Sequence, residues 1–215
     1  MIAPYFAHVK TWVFDLDNTL YPPSADLFGL MDSRFSAYVQ RITGLDQPAA
    51  YTLCQDYWQA YGSTLVGLME HYDIDPHDFL ADVHDIDISH LTPCDQLRTA
   101  LTALPGRKIV YTNGSSNHAK RVLAARDLTA QFDAVYGVEH ADFKPKPTQI
   151  AFDTVFAKDG VMPKSSAMFE DEPRNLKVPH ALGMRTVHVH PQQAQADHIH
   201  HHTDDLAAFL SQLAR

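Results

Sequence analysis

The chain has 215 residues, 45 % of them hydrophobic and 20 % charged, which allows one large domain, or a domain with an insertion, around a real core. Its formal net charge is −9, from 26 acidic and 17 basic residues with no basic stripe, which argues against a long nucleic-acid partner. Two cysteines form neither a CxxC pair nor a zinc spacing, and no apolar run is long enough for a spanning helix or a signal-peptide core, so no membrane association is expected and the cytoplasm is the expected compartment.

In chain order, Thr11–Leu16 reads as a buried strand, and Tyr21–Pro22–Pro23 breaks it. From Ala25 to about Leu91 the apolar spacing turns helical. A helix runs to Gly44, a second spans about Gln47–Tyr61, and two short ones follow at Leu65–Tyr72 and Pro76–His84. No strand-like alternation appears in that block. From Cys94 onward, strands and helices alternate. The strands are Lys108–Thr112, Ala134–Val138, Ser166–Phe169 and Thr186–Val189. The helices are Asp95–Leu104, Asn117–Arg126, about Thr148–Lys158, Asn175–Leu182 with Gly183 as its cap, and Asp204–Leu213. This predicts an α/β fold: a doubly wound, mainly parallel, Rossmann-like sheet with an inserted all-helical cap. The core would comprise residues 1–20 plus 93–215, and the cap 21–92.

Four polar sites follow predicted strands, at the edge where parallel sheets bind ligands. The first is Asp15, Asp17 and Thr19, at the end of an apolar run that has no structural use for two carboxylates. One carboxylate there can attack phosphorus, the other can handle protons, and a metal ion can bring the phosphate close. Alone, Asp17 or Thr19 has a second, less favoured reading as a helix N-cap. The second is Thr112–Asn113–Gly114–Ser115, a hydroxyl and backbone N–H groups able to hold phosphate oxygens. The third is a lysine, Lys144 or Lys146. The fourth is Glu170–Asp171, with Asn175 four residues on. The histidines His188, His190, His198, His200, His201 and His202 are read as a structural or loop segment, because His188 and His190 alternate within a strand and a patterned helix follows the others.

DLDNTL, YTNGS, KPTQIAF and FEDEPRNL resemble, in order, the four motifs of the haloacid dehalogenase superfamily, and DLDNTLYP with a helical cap and FEDEPRNL is similar to its pyrimidine 5′-nucleotidase-like members. The resemblance implies Asp15 as nucleophile and Asp17 as general acid and base. It implies Mg²⁺ held by Asp15, the main-chain carbonyl of Asp17 and Asp171, with Glu170 adding a ligand or orienting a water. Thr112 and the Asn113 N–H would bind phosphoryl oxygens, and Asn175 would support the lysine or the metal loop. Relatives carry an aromatic six residues after their lysine; Lys146 to Phe152 meets that spacing and Lys144 to Ile150 does not, which favours Lys146. The expected function is Mg²⁺-dependent hydrolysis of a small phosphorylated metabolite, a pyrimidine nucleoside 5′-monophosphate. Phosphoglycolate or a sugar phosphate is the alternative; a haloacid dehalogenase, which usually lacks the second aspartate, and a non-catalytic binding module stand behind it.

Overall fold

The structure, a computed structural model, describes residues 2–213; residues 1, 214 and 215, at the outer ends of the expected core segments, lie outside the described residues. Six strands form one parallel sheet: β1 (Thr11–Phe14), β2 (Arg107–Tyr111), β3 (Ala134–Tyr136), β4 (Ser166–Glu170), β5 (Arg185–Val189) and β6 (His201–Thr203). Their order is β3-β2-β1-β4-β5-β6, so the chain leaves β1 toward one side and later returns to the other. That reversal is where ligands bind in doubly wound sheets. Alternation along each strand divides the core. Trp12 and Phe14 of β1 face one apolar cluster with Val110, Phe169 and Val187, while Val13 faces the other with Ile109, Tyr111 and Met168.

Between β1 and the next α/β unit lie α1 (Leu27–Thr43), α2 (Gln47–Tyr61), α3 (Thr64–His71) and α4 (Pro76–Val83). Their boundaries follow from capping. Asp46, Ser63 and Asp75 accept hydrogen bonds from Ala49, Leu65 and His77 N–H groups at 3.0, 3.2 and 2.8 Å. Gly44 and Gly62 end α1 and α2 at φ of +74° and +80°, a conformation that favours glycine. The block has its own apolar cluster, including Tyr38, Val39, Cys54, Leu68, Phe79 and Val83. The remaining helices are α5 (Asp95–Ala103), α6 (Ser116–Ala125), α7 (Gln149–Asp159), α8 (Lys177–Ala181) and α9 (Leu206–Ser211). Arg126, at the end of α6, donates to the carbonyls of Leu20 and Thr92 at 3.4 and 2.7 Å and so ties both segments that connect the helical block to the sheet.

Two expectations are corrected. The first strand stops at Phe14 rather than Leu16, because after the Asp15 N–H bonds Phe169 O at 2.9 Å the chain folds back, with Leu20 N donating to Leu16 O at 2.9 Å. The helix expected over 175–182 begins as a 3-10 turn, Pro173–Leu176, before α8. The histidine-rich segment contributes an edge strand, β6, whose His201 and His202 pair with Val187 and His188 of β5. No helix among the described residues is long and apolar enough to cross a membrane.

Candidate active site

Strand register alone brings the acidic motifs together. Phe14 of β1 pairs with Phe169 of β4, so the next residues, Asp15 and Glu170, emerge side by side. Carboxylate oxygens of Asp15, Glu170 and Asp171 lie within 4.8 Å of one another. One ammonium serves this cluster. Lys146 Nζ lies 2.7 Å from Asp15 Oδ1, 2.7 Å from Glu170 Oε2 and 3.0 Å from Tyr111 O, and its side chain is buried. Lys144 is exposed. Asn113 grips the Lys146 backbone from both sides: its Oδ1 accepts from Lys146 N at 2.7 Å and its Nδ2 donates to Lys146 O at 3.0 Å. Asn175 Nδ2 donates to Glu170 Oε1 at 3.1 Å, so both oxygens of Glu170 are engaged. Among the described residues the Asp171 carboxylate receives Asn18 Nδ2, at 3.2 Å, and no other side-chain donor.

Three carboxylates against one ammonium leave the cluster short of positive charge. Burial, then Glu170, push the Asp15 carboxyl up to about 8. Burial, then Asp15 and Glu170, push Asp171 up to about 9. Burial works against the Lys146 ammonium, but Asp15 and Glu170 outweigh it and hold the lysine above its ordinary range. A hard divalent cation answers that deficit, and an all-oxygen donor set fits Mg²⁺ rather than zinc or nickel.

Asp17 sits in a different environment. Its Oδ1 accepts from Tyr21 OH at 2.6 Å and meets His118 Nε2 at 3.1 Å; its Oδ2 accepts from Thr112 Oγ1 at 3.3 Å. Burial alone would raise this carboxyl, but His118, Tyr21 and His84 hold it below the usual carboxylate range. His84 stacks on His118 with ring centroids 4.5 Å apart, and its Nδ1 reaches Leu80 O at 2.7 Å. Burial, then His118, push His84 down to about 4. Thr112 Oγ1 also accepts from Gly114 N at 2.9 Å, which fixes the turn after β2.

Tyr21, His84 and His118 are the residues that sequence reasoning missed in this role. Tyr21 looked like a break before the helices, yet it lies four residues after Asp17 and closes back on it. His118 sits in the first turn of α6. Ser115 caps that helix, accepting from His118 N at 3.1 Å, and a first-turn side chain leans back toward the strand end. A buried histidine beginning a helix that springs from a motif-bearing strand was the available signal.

The carboxylates form the floor of a cavity of about 420 Å³ between the sheet edge and the helical block. Phe28, Phe35, Trp58 and Phe79 of the block line it, as does Arg174 from the loop after β4. The histidine-rich segment lies beside the acidic loop rather than in this cavity. His188 Nε2 donates to Asp171 O at 2.9 Å, His198 Nε2 to Pro173 O at 2.9 Å and His202 Nε2 to His190 O at 2.7 Å. Among the described residues, the converging group of three or more metal-ligating side chains is Asp15, Glu170 and Asp171.

Residues 12–189 match the family model of haloacid dehalogenase-like hydrolases. The chain is 29 % identical over 192 residues to Phosphate metabolism protein 8 of Saccharomyces cerevisiae, covering 81 % of this chain; it spans about 60 % of that curated relative's length. Three solved structures share the fold. A HAD phosphatase from Thermococcus onnurineus superposes with a TM-score of 0.64 at 16 % identity, over 95 % of this chain and 98 % of that one. The HAD-hydrolase YfnB of Bacillus subtilis, solved bound to magnesium, gives 0.63 at 16 %, over 96 % and 99 %. L-2-haloacid dehalogenase from Xanthobacter autotrophicus gives 0.52 at 19 %, over 87 % and 79 %.

Proposed function

Because the chain belongs to the haloacid dehalogenase-like hydrolases, we propose that it is a phosphomonoester hydrolase working through an aspartyl-phosphate on Asp15. The observation that carries this is the separation of two buried carboxylates. Asp15 faces Lys146 and the acidic cluster, while Asp17 is held apart by Tyr21, His118 and Thr112. A second aspartate with its own donors is what phosphoryl transfer needs and dehalogenation does not. The yeast relative named for phosphate metabolism and the Thermococcus phosphatase support the same chemistry.

In this reading an oxygen of Asp15 attacks phosphorus as the ester P–O bond breaks, and Asp17, which enters this step protonated, gives its proton to the leaving oxygen. Asp17 then takes a proton from water, whose oxygen attacks phosphorus and releases phosphate from Asp15. The donors around Asp17 favour its ionised form and so prepare it best for this second step. Thr112 and the Asn113 N–H bind phosphoryl oxygens, and Lys146 neutralises charge on Asp15 and the phosphoryl group. Asp15, Asp171 and the Asp17 main-chain carbonyl are the proposed Mg²⁺ ligands. Glu170, which meets Lys146 and Asn175 and belongs to the same converging group, adds a ligand or orients a water in this reading and also holds Lys146 in place. Bound there, Mg²⁺ supplies charge neutralisation and positioning of the phosphoryl group.

Residues 21–92 are the proposed cap over a core of 1–20 and 93–215, excluding water and bulky phosphoesters from the cavity. The proposed substrate is a pyrimidine nucleoside 5′-monophosphate; the aromatic wall and a volume of about 420 Å³ suit a sugar with one base. The test compares kcat/KM for UMP, CMP, AMP, GMP and phosphoglycolate with Mg²⁺ present and absent. Pyrimidine nucleotides should lead, and only with Mg²⁺. Phosphoglycolate or a purine nucleotide exceeding both by about tenfold, some 1.4 kcal/mol of discrimination, would replace the nucleotidase reading while keeping the phosphatase.

A further inference from the structure

The acidic lining of the cavity makes its cations worth following. Asp15, Asp17, Asp32, Glu170, Asp171 and Glu172 all contribute to the wall, with Lys146 and Arg174 as its only lysine or arginine among the described residues. Lys146 is engaged by Asp15 and Glu170. Arg174 enters none of the ion pairs among the described residues. Neighbouring Glu172 turns instead to accept from the Arg174 main-chain N–H, at 3.3 Å. The Arg174 Nε is buried without a hydrogen-bond partner. Its guanidinium lies over the Trp58 ring, 3.8 Å from the centroid. Trp58 belongs to α2, so this contact spans the cavity from the loop after β4 to the helical block. The indole, 41 % exposed, is no ordinary core residue.

A guanidinium held over an indole loses rotational freedom and can still offer N–H groups to a partner. The partner that matches this fork is a planar group offering acceptor oxygens along one edge. The phosphoryl group has its own donors at the strand ends, which leaves Arg174 for the organic part of the substrate. We propose that Arg174, stacked on Trp58, is a specificity-determining residue that recognises an acceptor-bearing planar edge of the leaving group. This rests on the phosphomonoester reading of the cavity. The shared chemistry is a base carbonyl edge in a nucleotide or the carboxylate of a small phosphorylated acid, and the experiment separates the two.

Kinetics on UMP, phosphoglycolate and methyl phosphate would compare the wild type with Arg174→Met and Arg174→Lys. Loss of a charged hydrogen bond predicts a KM about ten- to a hundredfold higher for the substrate that uses Arg174, with kcat little changed. Methyl phosphate, which has no such edge, should be much less affected. Lysine should not rescue, because it keeps the charge and loses the planar fork. An equal loss on methyl phosphate, rescue by lysine, or no loss on any substrate overturns the proposal. Trp58 fluorescence gives a readout that needs no turnover, with Trp58→Phe identifying its signal beside that of buried Trp12. Uridine or glycolate should shift the emission of the wild type and not of Arg174→Met, and whichever does so names the source of the edge. Inorganic phosphate should leave it unchanged. The same shift with phosphate alone, the same shift in Arg174→Met, or no shift with either compound also overturns the proposal. If no phosphomonoester is turned over but the uridine or glycolate response depends on Arg174, the reaction assignment fails and the recognition site stands.

Discussion

Asp15 and Asp17 stand two residues apart, both buried, and their carboxyls are displaced in opposite directions: Asp15 up to about 8, Asp17 below the ordinary range. Burial penalises both charges. What differs is the company. Asp15 shares one lysine with Glu170 and has Asp171 beside it. Each accepts from a threonine hydroxyl, Asp15 from Thr19 and Asp17 from Thr112, but Asp17 also has a phenol and an imidazole to itself. One half of the site therefore lacks positive charge, and the other is satisfied by the protein's own donors. The lesson is that identical residues in a short motif divide their work through tertiary partners rather than through sequence.

The largest effect expected is at the half that carries the nucleophile. Asp15→Asn should abolish phosphate release while the circular dichroism spectrum and melting curve stay native. Mass spectrometry must exclude deamidation back to aspartate; activity near wild type with the asparagine intact would defeat the assignment.

Asp17→Asn should act differently. Loss of general acid–base help typically costs about 10²–10⁴-fold in rate. Its main-chain carbonyl is untouched, so the Mg²⁺ concentration for half-maximal rate should stay the same. Asp171→Ala should instead raise that concentration steeply or remove activity, because it deletes a carboxylate from the charge-deficient half. If both variants shifted the Mg²⁺ dependence equally, the two halves would not be separate.

A smaller loss is expected at the donors. Tyr21→Phe and His118→Asn each alter a group that keeps Asp17 ionised. Losing a hydrogen bond to a charged group predicts a fall of about tenfold in kcat. With fewer donors the Asp17 carboxyl rises, its ionised form is lost at higher pH, and the acid limb of the kcat profile moves upward where hydrolysis of the aspartyl-phosphate limits the rate. An unmoved limb would mean that these residues support the fold without tuning Asp17.

The sheet and the paired aspartates were legible because they break a simple rule: an apolar strand has no reason to end in two carboxylates. Alternation of strand and helix predicts the parallel sheet, and apolar spacing marks the helices of the block. Lys146 was readable only through its spacing to Phe152, since two Lys-Pro pairs fit the local pattern equally. The edge strand β6 was hidden because His201–His202–Thr203 has no apolar alternation to announce it. Tyr21, His84, His118 and the Arg174–Trp58 contact were hidden for a deeper reason: each acquires its role from residues distant in the chain or around a turn. A motif states which atoms react, and the fold supplies the groups that set their charge.

The smallest effect on activity is expected at His84, which lines the cavity and stacks on His118 but makes no hydrogen bond to Asp17 among the described residues. Its imidazole is pushed down to about 4 in the folded protein, against an ordinary value of 6.5. Between those values the unfolded chain binds a proton that the folded one refuses, so stability falls as pH drops through 6.5 toward 4. From pH 7 to pH 5 this one group would contribute a loss of about 2 kcal/mol, or roughly 4–8 °C in Tm for a chain of this size. His84→Asn keeps a donor able to reach the Leu80 carbonyl and removes the titration. The variant's baseline stability can differ, so the quantity to measure is the change in urea unfolding free energy between pH 7 and pH 5. The variant should lose less than the wild type by about that amount, with activity at pH 7 within a few-fold. Equal losses in the two proteins would show that the neutral imidazole beside His118 does not govern the acid limit, and would move attention to other buried histidines such as His188.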